Sequence, residues 1–341
     1  IIYFMASSFQ LSIVVAARND NYGGDFNQRL SRSILWNASL LEEWQITTEY
    51  VVVNWNPDKN KPTLQSAISW PLNRKYVQFR IIEVSEALHT KQVERNSLKP
   101  ANVLEFIAKN VGIRRARGHA ILCTNADVQL SVDVIRYIAE KPLQDQVLYR
   151  AIRLDIDQNS KREPKRCITR WFLQGSTIRT PSYWPYVVQH VYAHQLAALK
   201  RFYYKYAPDW YYVPSISRAE KVLFDYPFNA SGDFALMTKS SWAKMGGYRE
   251  ACIISTHVDS LHLVDCLRRD IRIELLTGTY VYHQEHTRRY SFDSPSNEMH
   301  FMYKLLCKTI TSYILEEAKD NILAEQDGWG MSDEKLESVY V

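Results

Sequence analysis

The sequence has little cysteine. Five are scattered over 341 residues (Cys123, Cys167, Cys252, Cys266 and Cys307), and no C-x-x-C pair occurs. That argues against a disulfide framework or a zinc knuckle. No run reaches the ~18 apolar residues that a membrane-spanning helix needs, so no integral membrane segment is expected. The opening IIYFMASSFQ is short for a signal peptide and lacks a basic flank. Either Met5 is the natural start or the chain is a fragment. Excess charge is also lacking: 42 basic against 37 acidic residues leave a net charge of +5. So mild a balance suits a small acidic ligand and does not call for nucleic acid. No internal repeat and no low-complexity segment is present.

Apolar residues are plentiful, at 46%, enough for a sizeable core. LSIVVA (residues 11–16) reads as a buried strand that ends in a polar loop. Phe26, Leu30, Ile34, Ala38 and Leu41 repeat at helical spacing. EYVVVNWNP and VQFRIIEVS read as two further strands. PANVLEFIAKNVGIRRARG reads as a helix opened by Pro100 and ended by Gly118. HAILCTNAD is a fourth strand, and SVDVIRYIAEK a helix capped by Ser131. This order predicts an α/β fold with a mostly parallel central sheet flanked by helices. Ligands of such sheets sit at the carboxyl ends of the strands. Here those are Ala17-Arg18-Asn19, Asn54-Trp55-Asn56 and Asn125-Ala126-Asp127.

Residues 151–228 read as an aromatic-rich insertion or lid. It contains the basic loop KREPKR, the His190/His194 pair at a metal-ligand spacing, and Trp184, Trp210 and Tyr211. The sheet pattern resumes at 229–310, where IRIELL and TYVYH read as two strands. Residues 311–341 read as a helical tail with an aromatic, glycine-bearing end. Two sequons occur, at Asn37 and Asn229.

Asn125-Ala126-Asp127 bears most directly on chemistry. Alternate residues of an extended segment point the same way, so Asn125 and Asp127 could share one hard cation. The alternative is a polar loop leading into the helix at Ser131. What precedes it matters: Lys109-Asn110, Gly112, Ala116, Gly118, then an apolar strand and the acidic tip. This spacing resembles the signature of glycosyltransferase family 2 and its GT-A relatives, with Lys109 for an arginine and Asn125 for the first aspartate of Asp-x-Asp. Downstream, Gly232-Asp233, Trp242, Gly246-Gly247-Tyr248, Glu250, Asp259, Arg268 and His283 resemble the acceptor half of that family.

The resemblance implies a GT-A (nucleotide-diphospho-sugar transferase) fold. Residues 1–310 would be the catalytic domain, with a nucleotide-sugar half at 10–150 and an acceptor half at 229–310. It implies transfer of a sugar from a nucleotide-diphosphate donor, a UDP-sugar in first place, to a glycan or other hydroxyl acceptor, with inversion and with Mn²⁺ or Mg²⁺. Asp127 and His283 are the expected metal ligands. Asp259 is the expected general base, with Asp233 as its rival. Ala17, Arg18, Asn54, Asn56, Lys109, Asn110, Arg115 and Asn125 are the expected donor contacts. The expected compartment is the cytoplasm, or a Golgi-lumenal or membrane-associated setting if the chain is a fragment. Two alternatives are a non-catalytic glycan-binding descendant, favoured by Asn125, and a sugar nucleotidyltransferase. The latter is disfavoured because Ala16-Ala17-Arg18-Asn19-Asp20 is no G-x-G-T loop.

Overall fold

The computed structural model describes residues 9–20, 22–96, 101–156, 231–250, 258–284, 286 and 328–341. The expected lid, with KREPKR, His190, His194, Trp184, Trp210 and Tyr211, lies outside the described residues. So do Asn229 and the helix expected from about residue 311.

In chain order the elements are β1 (Leu11–Ala17), α1 (Phe26–Glu43), β2 (Thr48–Trp55), a single-turn α2 (Leu64–Ala67) and β3 (Val77–Val84). Then come α3 (Glu86–Arg95), α4 (Glu105–Arg115), β4 (Ala120–Thr124), β5 (Val128–Leu130), α5 (Val132–Glu140) and β6 (Val147–Ile156). The second half supplies β7 (Ala235–Thr238), α6 (Lys239–Met245), α7 (Val258–Arg268), β8 (Arg272–Gln284) and β9 (Ser338–Tyr340). The strands form one sheet in the order β5-β8-β6-β7-β4-β1-β2-β3-β9. β4, β1, β2 and β3 run parallel, as do β6 and β8. β5, β7 and β9 are antiparallel to their neighbours. The fold is therefore α/β with a mostly parallel central sheet, as expected.

The continuous apolar run of β1 is buried on both faces, which is why it shows no polar alternation. Leu11, Ile13, Val15 and Ala17 share a core with Leu30, Ile34, Ala38 and Leu41 of α1. On the opposite face α4 lies against β1 and β2. A Cβ on Gly112 would sit 2.4 Å from Val14 Cγ1 and 3.1 Å from Val53 Cγ2. The glycine lets the helix approach the sheet that closely. At the helix's far end, a Cβ on Gly118 would meet the backbone of Leu11 and Ser12 at 2.6 and 2.5 Å.

Several elements differ from expectation. α4 begins at Glu105 rather than at Pro100. α3, capped by the Ser85 hydroxyl, sits between β3 and α4, where no helix was expected. The two strands expected at IRIELL and TYVYH are one, β8, and its pairing with β6 shifts register between Arg150 and Ile152. The final residues make turns and then β9, which closes the β3 edge where a helical tail was expected. Asn37 is fully buried. Its amide donates to Val128 O and accepts from Leu130 N, so the folded chain has no room for a glycan there. Among the described residues no helix is long and apolar enough to cross a membrane.

Candidate active site

The carboxyl ends of β1, β2 and β4 lie on the same sheet edge because the three strands are parallel. The first crevice is tied together by Arg18, whose Nε donates to Asn56 O at 2.6 Å and whose Nη1 donates to Asp20 at 2.8 Å. Asn56 holds a left-handed φ of 47° and donates from its amide to Asn102 O at 3.3 Å. Arg18 and Asn56 thus meet where the carboxyl ends of β1 and β2 lie side by side. Ala17 does not present its side chain there; it is buried in the α1-side core. Asn54 is also buried, and its Oδ1 has no partner among the described residues.

The acidic tip is not extended. A turn at Ala126-Asp127, with Val128 N donating to Asn125 O at 3.3 Å, sends the two side chains to different partners. Asn125 Oδ1 accepts from Lys109 Nζ at 2.6 Å, and Asn125 Nδ2 donates to Asp233 Oδ1 at 2.5 Å. Both ends of the amide are therefore engaged within the protein. The expectation that Asn125 and Asp127 would share one cation is corrected here.

Asp127 instead faces a basic and imidazole-rich corner. Short β5 pairs antiparallel with β8 and places Val128 opposite His283. That register brings His283 Nε2 to 3.6 Å from Asp127 Oδ1. His286 Nε2 lies 3.4 Å from Oδ2, and Arg29 Nε donates to the same oxygen at 3.4 Å. One carboxylate oxygen and two imidazole nitrogens lie within 4.8 Å of one another. This donor set fits a divalent transition ion. Two imidazoles suit Mn²⁺ better than Mg²⁺, which prefers an all-oxygen shell.

Three residues here escaped the sequence reading: Arg29, Arg153 and His286. Arg29 is fully buried and also donates to Asp25 and to Tyr22 O. There was a signal for it. Arg29, Ser33 and Asn37 are spaced by four on the buried side of α1, a polar stripe beside the apolar one. They hold Asp127, Gln284 and the β5 backbone respectively. Arg153 lies on β6 and had no such pattern.

From Asp127 a chain of polar contacts crosses the site. His283 Nδ1 accepts from Arg153 Nη2 at 2.9 Å, and Arg153 Nη1 donates to Asp233 Oδ2 at 2.9 Å. Asp233 meets Asn125, which meets Lys109. Lys109 Nζ donates to Gly232 O at 3.1 Å and to Glu105 at 2.6 Å. Gly232 N donates back to Asp259 Oδ2 at 2.9 Å. Asp259 is half-buried, in the first turn of α7, where the helix end favours an ionised carboxylate.

The electrostatics of Asp233 weigh against it as the base. Burial would raise the Asp233 carboxyl, but Arg153, His283 and Lys109 outweigh it and hold it below the ordinary value. A carboxylate pinned by cations accepts a proton poorly. Lys109 is likewise fully buried. Desolvation would lower it, but Glu105, Cys123 and Asp233 raise it, so it remains a cation.

Three expected donor contacts are spent on the fold. Lys109 is covered by the Gly232-Asp233 segment it holds. Arg115 donates to the carbonyls of Gly330, Met331 and Glu334 at 2.5–2.9 Å. Asn110, fully buried, donates to Tyr248 O at 2.7 Å and Glu250 Oε1 at 2.9 Å, and accepts from Tyr248 N at 2.7 Å. It clasps the Gly246-Gly247 turn. Gly247 has φ +74°, and a Cβ there would lie 2.4 Å from Asn110 Oδ1. The residue types that carry the resemblance at Asn110, Gly112, Gly247 and Glu250 thus share one packing problem, docking α4 between the sheet and that turn.

No protein-family model matches this sequence, and no curated protein does. Among solved structures the chain is similar to glycosyltransferases. The S. aureus TarS 1-349 fragment shares 12% identity over 96% of this chain and 76% of its own, with a TM-score of 0.44. GalNAc-T7, solved with UDP, GalNAc and Mn²⁺, shares 11% over 85% of this chain and 46% of its own, at 0.43. The catalytic domain of Drosophila β1,4-galactosyltransferase 7, solved with xylobiose, shares 9% over 86% and 79%, at 0.39.

Proposed function

We propose that this chain is a GT-A glycosyltransferase that moves a sugar from a nucleotide-diphosphate donor, in first place a UDP-sugar, to a hydroxyl of a glycan or similar acceptor. The observation that carries this reading is the joining of two chemistries in one polar network. A carboxylate–imidazole corner at Asp127, His283 and His286 is linked through Arg153, Asp233, Asn125, Lys109 and Gly232 to a separate carboxylate, Asp259. Transfer needs both: charge stabilisation where the diphosphate departs, and a base where the acceptor arrives.

The chain's residues would divide the work as follows. Arg18 and Asn56 border the nucleotide crevice. A divalent ion held by Asp127, His283 and His286 would act as a Lewis acid toward the diphosphate. Asp259, partly exposed and accepting from Gly232 N at 2.9 Å, takes the proton of the acceptor hydroxyl. The hydroxyl oxygen bonds to the anomeric carbon as the sugar–phosphate bond breaks, and the electron pair leaves with the nucleoside diphosphate. One displacement with the base opposite the leaving group inverts the anomeric centre. Asp233 serves to position Arg153 and Asn125.

The test is release of free nucleoside diphosphate from a panel of nucleotide sugars, with and without Mn²⁺. Asp259→Asn should abolish transfer and spare donor binding. If Asp259→Asn stays active, the base assignment is wrong. No turnover with any donor, alongside retained glycan binding, would make the chain a glycan-binding descendant of such enzymes.

A further inference from the structure

We infer that Arg153 is a positioning residue that keeps the cation corner closed until ligand binding draws it away. This rests on the reading of Asp127, His283 and His286 as a cation site. A guanidinium has five donors and no acceptor. Because Arg153 Nη2 donates to His283 Nδ1 at 2.9 Å, that nitrogen must present its lone pair to the arginine. The proton of the neutral ring then sits on Nε2, the nitrogen that faces Asp127 Oδ1 at 3.6 Å. A metal-binding nitrogen needs a lone pair, and a ligating histidine usually donates its other N–H to an acceptor. Arg153 imposes the reverse arrangement. For Nε2 to ligate, the ring proton must move to Nδ1, and Arg153 must leave to make room for it.

The position Arg153 would leave toward is already defined. Its other nitrogen, Nη1, holds Asp233 Oδ2 at 2.9 Å, and Asp233 is buried. The arginine is therefore anchored at one end and can swing off His283 without losing its ion pair. Its partner in charge, Arg29, acts differently. At this corner Arg29 donates to the carboxylate, at 3.4 Å from Oδ2. Arg29 tempers the charge of Asp127, while Arg153 acts on the ring proton of His283. An anionic diphosphate arriving at this corner would compete for the Arg153 guanidinium. Cation and donor should then bind with positive coupling, each relieving the same contact.

The experiment measures Mn²⁺ binding without donor, by the loss of the free-ion paramagnetic resonance signal. It compares the wild-type chain with Arg153→Lys and Arg153→Met. The lysine variant keeps a charge for Asp233, and thermal melting checks that each variant folds. Binding tighter by on the order of tenfold in both variants supports the proposal. Equal affinity in all three chains overturns it and leaves the cation site intact. No Mn²⁺ bound by any of them overturns both. Independently of any variant, ¹⁵N imidazole spectra of the wild-type chain should show His283 protonated on Nε2. A proton on Nδ1 in the ligand-free chain would overturn the proposal directly.

Discussion

Replacing Asn110 with alanine tests whether this residue serves the fold or the donor. Its side chain makes three hydrogen bonds, all buried: two with the Tyr248 backbone and one with Glu250. Truncation leaves the Tyr248 N–H and C=O without the partner each has in the amide. Glu250 is better placed, because Gly330 N still donates to it at 2.7 Å. Burial already raises the Glu250 carboxyl above its ordinary value despite both donors, so losing one raises it further. Each buried polar group left unsatisfied costs ~1–3 kcal/mol. Two full losses and one partial loss give roughly 3–5 kcal/mol. For a domain of this size each kcal/mol lowers the melting temperature by about 2–4 °C, so a fall on the order of 10 °C is expected. Thermal melting by circular dichroism measures it. Below the transition, donor KM should be unchanged, because Asn110 is fully buried and reaches no crevice. An unchanged melting temperature with a raised donor KM would refute this and restore Asn110 as a nucleotide contact.

Three further outcomes are expected. His262 is buried against Trp242 and Tyr248, and burial, then Arg150, push its pKa down to about 3. The folded chain thus stays neutral where the unfolded one takes up a proton, so stability falls as pH drops from the ordinary 6.5 toward 3, by ~1.4 kcal/mol per unit. Urea midpoints at pH 7 and 5 should show that slope in the wild-type chain and a shallower one in His262→Phe. Asn125→Asp places a second carboxylate beside Asp233, where the amide now donates at 2.5 Å; like charges so close force the pair to keep a proton. Its stability deficit against wild type should be larger at pH 7 than at pH 5, and an equal deficit at both would count against the contact. Gly112→Ala puts a methyl against Val14 and Val53, and overpacking of this kind costs roughly 1–3 kcal/mol, readable as a lowered denaturant midpoint with activity retained in the folded fraction.

Much of the first half of the fold was legible. β1, β2, β3, β4, α1 and α5 stand where apolar periodicity and caps put them, because local pattern and burial agree there. Register was not legible. Nothing in VQL (residues 128–130) announces a strand, yet its pairing with β8 is what sets Asp127 beside His283. The site residues divide along the same line. Asp127, His283, Asp233 and Asp259 were named from the resemblance, and the structure links them in one polar network. Arg29 and Arg153 were missed because an arginine on a helix or strand usually faces water, whereas here each also meets a carboxylate 98 or 80 positions away.

The sequence by itself determined that this is an α/β chain whose strand ends carry acidic and amide groups. Periodicity and residue type are local properties, and they survive translation into structure. The tertiary structure decided which of those groups face one another. It turned Asn125 away from Asp127, committed Asn110 and Arg115 to packing, and set His286 and Arg29 against the Asp127 carboxylate. Such choices depend on strand register and on burial among distant segments, where a shift of one residue would exchange every side chain between core and site.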